Sequence, residues 1–127
     1  MRTNIVRHEN LMVSYSVVNG WAVLELDGEV DIHTAPLVCE AVTGLLEEAH
    51  LFFVLDFGFV TFMDSTGLGT LAKITKRVDK QGGSLRIASA SGRLLRVFEL
   101  TGLLDAYEFH SSVEEATRTV SRAGGLH

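Results

Sequence analysis

The run Leu51-Phe52-Phe53-Val54-Leu55-Asp56-Phe57 is apolar at odd and even positions alike. Side chains alternate between the two faces of an extended strand, so a stretch of this kind cannot leave one face in water. It predicts a central strand, buried in the middle of a sheet. The rest of the chain must supply its neighbours and its cover.

Before it, LMVSYSVV (11–18) and WAVLELDG (21–28) are rich in β-formers and flank Asn19-Gly20, a dipeptide suited to a two-residue hairpin turn. An antiparallel pair is predicted. Thr34 is placed to cap a helix whose first turn tolerates Pro36 and which runs to about Ala49. After the central strand, Leu68, Leu71, Ala72, Thr75 and Val78 recur at helical spacing until Gly82-Gly83 stop the run. SLRIASA (84–90) reads as a strand and RLLRVFEL (93–100) as a helix, ended by Gly102 with Leu103 placed for the contact of a Schellman cap. AYEF (106–109) is a last short strand, and Ser112 with Glu115 forms a capping box for a helix to about Arg122.

The order β-β-α-β-α-β-α-β-α predicts an α/β domain, its mixed, mostly parallel sheet holding about four or five strands beside about four helices. Residues 1–10 are expected to be an N-terminal extension, 11–122 the domain and 123–127 a frayed tail. Trp21, Phe52, Phe53 and Phe98 are expected in the core.

A chain of 127 residues with 46% hydrophobic residues, 21% charged residues and one proline suits one folded domain. Its net charge of −5 argues against nucleic acid as partner, because phosphates need a concentrated basic surface. The single Cys39 has no partner for an intrachain disulfide and is expected to be a small buried residue in a reducing compartment. No signal-like stretch or bilayer-length apolar segment is read, so no membrane association is expected and the cytoplasm is the default location.

The junction after the central strand, Asp64-Ser65-Thr66-Gly67, places two hydroxyls where a helix begins. Such hydroxyls can cap the helix, attack a substrate or receive a phosphate. Gly67-Leu68-Gly69-Thr70-Leu71-Ala72 fits G-x-G-x-x-A, but the acidic residue that should hold a ribose is missing from the neighbourhood of Ile87 to Gly92. A nucleophile elbow needs glycine where Met63 stands, and no Walker loop occurs. The five histidines are scattered, without the spacing of a catalytic base or a metal pair. A receiver-type phosphoaspartate at Asp56 lacks the additional carboxylates that would hold Mg²⁺, so Asp56 is read as a strand-end residue binding nearby backbone. No metal and no cofactor are expected.

Phe62-Met63-Asp64-Ser65-Thr66-Gly67-Leu68-Gly69 resembles the signature loop of the anti-sigma factor antagonists, the bacterial STAS-domain proteins. Gly28-Glu29-Val30-Asp31 with Thr34-Ala35, Lys80-Gln81-Gly82-Gly83 and Phe98-Glu99-Leu100-Thr101-Gly102-Leu103 extend the likeness over roughly residues 11 to 120. The resemblance implies that Ser65 is phosphorylated by a partner that is both serine kinase and anti-sigma factor, with Thr66 as the alternative acceptor. The unphosphorylated form would bind that kinase and free a sigma factor. A PP2C-type phosphatase would restore it, and ATP would belong to the kinase. The runner-up is a phosphorylation-independent STAS scaffold or sensor subunit. The chain would be a kinase substrate and not an enzyme, acting as a monomer or weak dimer.

Asp31, Thr34, Asp64, Ser65, Thr66, Gly67 and Leu68 are the expected docking rim. Ser65 is also a candidate N-cap. Gly67 and Gly69 suggest close approach of a partner or a neighbouring strand. Lys73, Lys76, Arg77 and Lys80 fall on one helix face, either as a solvated surface or, through Lys73 and Lys76, as a contact for an acidic patch on the kinase.

Overall fold

The computed structural model of the chain describes residues 2–119. Asn19 and Gly20 both take positive φ, 51° and 84°, giving a turn whose twist matches that of the strands it joins. Those strands are β2 (Leu11–Val18) and β3 (Trp21–Val30), paired antiparallel from Val18 opposite Trp21 to Leu11 opposite Gly28. The expected extension is itself partly structured. Thr3–Arg7 forms β1 and adds antiparallel to β2, which had an unpaired edge to offer.

The remaining elements follow as α1 (Ala35–Glu47), β4 (Phe52–Met63), α2 (Ser65–Lys80), β5 (Ser84–Ala88), α3 (Gly92–Leu100), β6 (Glu108–His110) and α4 (Val113–Ala116). A single 3-10 turn at Leu104–Ala106 precedes β6. Among the described residues the sheet has six strands in the order β1-β2-β3-β4-β5-β6, with β3 to β6 parallel. This is the mixed, mostly parallel sheet expected, with β1 as the strand the sequence left out. The helix expected to about Arg122 is seen as Val113–Ala116, and its end from residue 120 lies outside the described residues, as does the tail.

Each parallel connection steps the same way across the sheet. Right-handed crossovers that all step one way place their helices on one face. Accordingly Val38, Val42 and Leu45 of α1, Leu68, Leu71 and Ile74 of α2, and Leu94 and Phe98 of α3 share one core with Leu24, Phe53, Leu55 and Ile87 of the sheet. The opposite face carries a smaller cluster, in which Trp21, Val23, Val54 and Ala88 are covered by Ala116 of α4. Phe52 packs at its margin, edge-on to Trp21 and only partly buried, whereas Phe53 and Phe98 are fully buried. Cys39 is half-buried on α1, not fully buried as expected.

The helix stops follow their local chemistry. Gly82 at φ 84° lets the Gly83 amide donate to the Val78 carbonyl at 2.9 Å, and Gly102 at φ 75° lets Leu103 donate to Phe98 at 2.8 Å. At α4 the Ser112 Oγ accepts from the Glu115 amide at 3.0 Å, but the Glu115 carboxylate returns to the Ser111 amide at 3.1 Å rather than to Ser112. That Ser111 hydrogen bond holds the Glu115 carboxyl below its ordinary value.

Arg86 fastens the second face. Its guanidinium lies 4.3 Å from the Trp21 ring centre, donates to the Ala116 carbonyl at 2.7 Å and pairs with Glu108 at 2.7 Å. The arginine is mostly buried and the glutamate half-exposed, so the backbone and ring contacts outweigh the ion pair. Urea unfolding of Arg86→Ala is expected to show a loss of roughly 2 kcal/mol, with Glu108→Ala losing less than about 1 kcal/mol. Equal losses would assign the stabilisation to the ion pair instead.

Candidate functional site

The strands β3 and β4 run to the same level, with Val30 opposite Met63. Both of those side chains stay in the core, so the chain leaves the sheet at Asp31 on one strand and Asp64 on the other. At Asp64 the backbone is still extended, with φ −118° and ψ −170°. Its Oδ1 accepts from the Gly67 amide at 3.1 Å, and its carbonyl accepts from Leu68 at 3.0 Å. Asp64 is therefore the N-cap of α2, and the expectation that Ser65 caps is corrected. The carboxylate is the first side chain past the sheet that can fold back over the amides.

With the cap supplied by its neighbour, Ser65 becomes the first residue of the helix and both Ser65 and Thr66 are exposed. Their own amides find no acceptor among the described residues. They form the positive end of a helix of 16 residues.

The β3 exit is locked by a side-chain turn. Asp31 Oδ1 accepts from the His33 amide at 2.9 Å and from the Thr34 amide at 3.1 Å. The Thr34 hydroxyl accepts from the Asp31 amide at 3.0 Å and gives its proton to the Glu29 carbonyl at 2.6 Å. Hydrogen bonding from His33 first, and from Thr34 after it, holds the Asp31 carboxyl below its ordinary value despite some opposing desolvation. Thr34 stands at the N-cap position of α1 but makes no side-chain cap, because its hydroxyl is spent on this turn.

The expected rim thus divides. Asp31, Asp64, Ser65 and Thr66 gather at the ends of adjacent strands with at least part of each side chain in solvent. Thr34 is 0% exposed, Leu68 4%, and Gly67 is buried beneath the turn, so these three hold the site's shape and cannot form its surface. A Cβ on Gly67 would come within 2.8 Å of the Val30 carbonyl oxygen and 2.9 Å of Met63 Cγ, which accounts for glycine where α2 crosses the strand ends. Gly69 is different: among the described residues, no atom beyond its own stretch of helix lies within 4 Å of a Cβ placed there, so no neighbouring strand requires it.

Three exposed apolar side chains adjoin this end of the sheet without having been expected. Ile32 is 66% exposed, Phe62 47% and Phe59 55%. The two phenylalanines reach solvent because the β3–β4 register shifts twice between Glu25 and Glu29, which breaks the in-out alternation of β4 after Phe57. Gly58 in an otherwise bulky run was the available signal.

Lys73, Lys76, Arg77 and Lys80 are all exposed, but they lead away from the site. At about 1.5 Å per residue, Lys76 lies about 16 Å along the axis from Ser65. Arg77 donates to Thr43 of α1 at 2.6 Å, so part of the stripe ties the two helices together. A groove of about 700 Å³ between β1 and α1, lined by Ile5, Tyr15 and Glu48 among others, contains none of the expected site residues.

Among the described residues no group of three or more His, Cys, Asp or Glu side chains could hold a metal ion. No described helix is long and apolar enough to cross a membrane. Asp56 spends its Oδ1 on the Gly58 amide at 3.0 Å, within a strand that continues past it.

Among the described residues the strands follow chain order, with no reversal of the kind at which doubly wound sheets open a crevice for a nucleotide. What the sheet offers instead is an end at which an acid-capped helix and two exposed hydroxyls follow the strands of a small α/β domain. Residues 12–116 match the STAS domain, and the chain belongs to that family. It is 40% identical over 92 residues to the anti-sigma-B factor antagonist of Bacillus subtilis strain 168, covering 72% of this chain and 83% of that one. The solved anti-sigma factor antagonist from Mycobacterium paratuberculosis superposes with a TM-score of 0.77 at 25% identity, over 91% of this chain and 98% of that one. The Bacillus cell fate determinant SpoIIAA in its phosphorylated form shares the fold, with a TM-score of 0.68 at 22% identity over 86% of this chain and 99% of that one.

Substitutions separate the roles of the glycines and the cap. Gly67→Ala should lower the urea midpoint, Gly69→Ala should raise stability by up to about 1 kcal/mol, and Asp64→Ala should cost about 1 kcal/mol. A neutral Gly67→Ala would show that the strand ends can yield.

Asp31 supplies a pH signature. Because its folded-state value is depressed, its contribution is present above the ordinary carboxylate range and is lost as pH falls through the lowered value. The stability gap between wild type and Asp31→Ala should therefore be full at neutral pH and close in acid. A gap independent of pH would mean that the ionised carboxylate is not what holds the turn.

Proposed function

We propose that the chain is an anti-sigma factor antagonist whose unphosphorylated form binds a serine kinase that is also an anti-sigma factor, releasing a sigma factor. Phosphorylation of Ser65 switches that binding off, and a PP2C-type phosphatase restores it. The chain is the substrate in this cycle and not an enzyme, acting in the cytoplasm as a monomer or weak dimer. The observation that carries the reading is the exposed Ser65 hydroxyl at the first position of α2, freed from capping by Asp64. The likeness to the Bacillus subtilis anti-sigma-B factor antagonist supports the partner class.

In the modification the Ser65 Oγ forms the new bond to phosphorus as ATP on the kinase loses its terminal phosphoryl group, leaving ADP, while the hydroxyl proton departs to the kinase or to solvent. The product carries about −1.5 to −2 charges. The free Ser65 and Thr66 amides and the helix dipole favour that charge, so the domain holds it without unfolding. The partner meets it beside Asp64 and Asp31, where three acidic groups would now share one surface. A thousandfold loss of affinity needs only about 4 kcal/mol, within reach of a few like-charged or newly desolvated contacts.

The test is incubation with the kinase and ATP followed by peptide mapping and a binding assay. Phosphate is expected on Ser65. Ser65→Ala should bind the kinase and resist switching, Ser65→Asp should bind more weakly, and Thr66→Ala should still take up phosphate. Equal affinities for the two Ser65 variants, or phosphate mapped to Thr66, would overturn the assignment. Kinase binding without any phosphate uptake would favour a phosphorylation-independent scaffold.

A further inference from the structure

Strand β4 has 12 residues and β5 only 5, and the mismatch lies at the functional end. Pairing with β3 continues to Met63, whereas pairing with β5 stops at Asp56. A strand central to the sheet over its first half is thus an edge over its second half. Among the described residues no strand takes up the β5 side of Gly58–Met63, and of these amides only Gly58 is met by a side chain, Asp56 at 3.0 Å. Backbone donors and acceptors left facing outward on an exposed edge fit an added strand and not a helix, whose own backbone groups are already paired.

The space beside this edge is a groove of about 540 Å³ between β4 and α3. Val60, Phe62, Leu94 and Val97 give it apolar walls, Arg93 stands at its rim, and no acidic side chain lines it. Among the described residues Arg93 makes no ion pair. The edge ends at Met63, two residues before Ser65.

We infer that the Gly58–Met63 edge and the α3 groove receive an extended segment of the partner protein, apolar at alternate positions and carrying a carboxylate that meets Arg93. This rests on the reading that a partner docks at Ser65, and adds how it is gripped. Strand pairing fixes the segment's direction and register, delivering the attached partner to the hydroxyl. Six residues of edge accommodate a segment of about 20 Å at roughly 3.3 Å per residue. The two register shifts in β4 twist the edge, which disfavours long, flat pairing and suits a short segment. A second copy of the chain fits poorly, because its exposed edge strand β1 reads TNIVR, with a cation and no carboxylate, and β6 has only 3 residues.

Two measurements on the full chain decide this. The first titrates an acetylated and amidated octapeptide of alternating Val and Glu, against its Val-Lys counterpart, into isotopically labelled protein. Saturable shifts are expected at Gly58–Met63 and Ser91–Val97, with the Glu peptide binding at least about tenfold tighter and Arg93→Glu reversing that preference. Shifts elsewhere, no saturation at millimolar peptide, or equal binding of the two peptides would overturn the inference. So would concentration-dependent self-association at the same resonances, which would assign the edge to a second copy.

The second measures amide exchange in the complex with the kinase, where the amides within Phe59–Met63 that face away from β3 should be protected about tenfold or more. If the kinase binds and phosphorylates Ser65 without protecting those amides, the edge inference falls and the proposed function stands. If the Glu peptide binds as expected but no kinase modifies Ser65, the edge stands and the functional reading falls.

Discussion

The pairing of β4 with β3 along nearly its whole length organises this molecule. Through Asp56 it is one of two pairings that fix β4 at the centre of the sheet; beyond Asp56 it is alone. Because Met63 remains tied to Val30 and in the core, the chain is delivered to one point above the sheet edge with its direction already set. The helix that starts there inherits that position. Gly67, pressed under the turn against Val30 and Met63, shows how little play is left.

From that constraint comes the division of labour at the turn. A helix start has amides to satisfy, and a carboxylate at Asp64 satisfies the third of them, so neither following hydroxyl is committed. Ser65 and Thr66 are held at the positive end of a dipole yet exposed to whatever docks. On the neighbouring strand, Asp31 and Thr34 form a closed network that shapes the second loop. Asp31 keeps part of its surface in solvent, while Thr34 is wholly interior. The proposed phosphorylation at Ser65 would place its charge on a turn already held by the strand ends, so the switch as proposed asks no conformational change of its host.

The same constraint leaves β4 with an apolar, partly unpaired flank. The phenylalanines at 59 and 62 point outward because bulges break the alternation that kept Phe53, Leu55 and Phe57 inside. Exposed aromatic side chains of this kind are enriched where proteins meet one another. The basic residues of α2, by contrast, serve partly to fasten α2 to α1, as Arg77 does through Thr43.

Local chemistry was readable without coordinates. Asn19-Gly20 needs positive φ at both positions, Gly82 and Gly102 end helices by reaching the left-handed region, and the double-sided apolarity of Phe53 to Leu55 requires cover on both faces; each is decided by a few adjacent residues. From these came the α/β class, the hairpin, the helices and the junction at residue 65. The tertiary structure decided what depends on distant partners. Thr3–Arg7 reads as part of an N-terminal extension until β2 presents an edge to it, and β4 outlasts Phe57 only because β3 runs beside it. Which of Asp64 and Ser65 caps α2 depends on where the core releases Met63, a matter of burial against Val30 that no stretch of neighbouring sequence encodes.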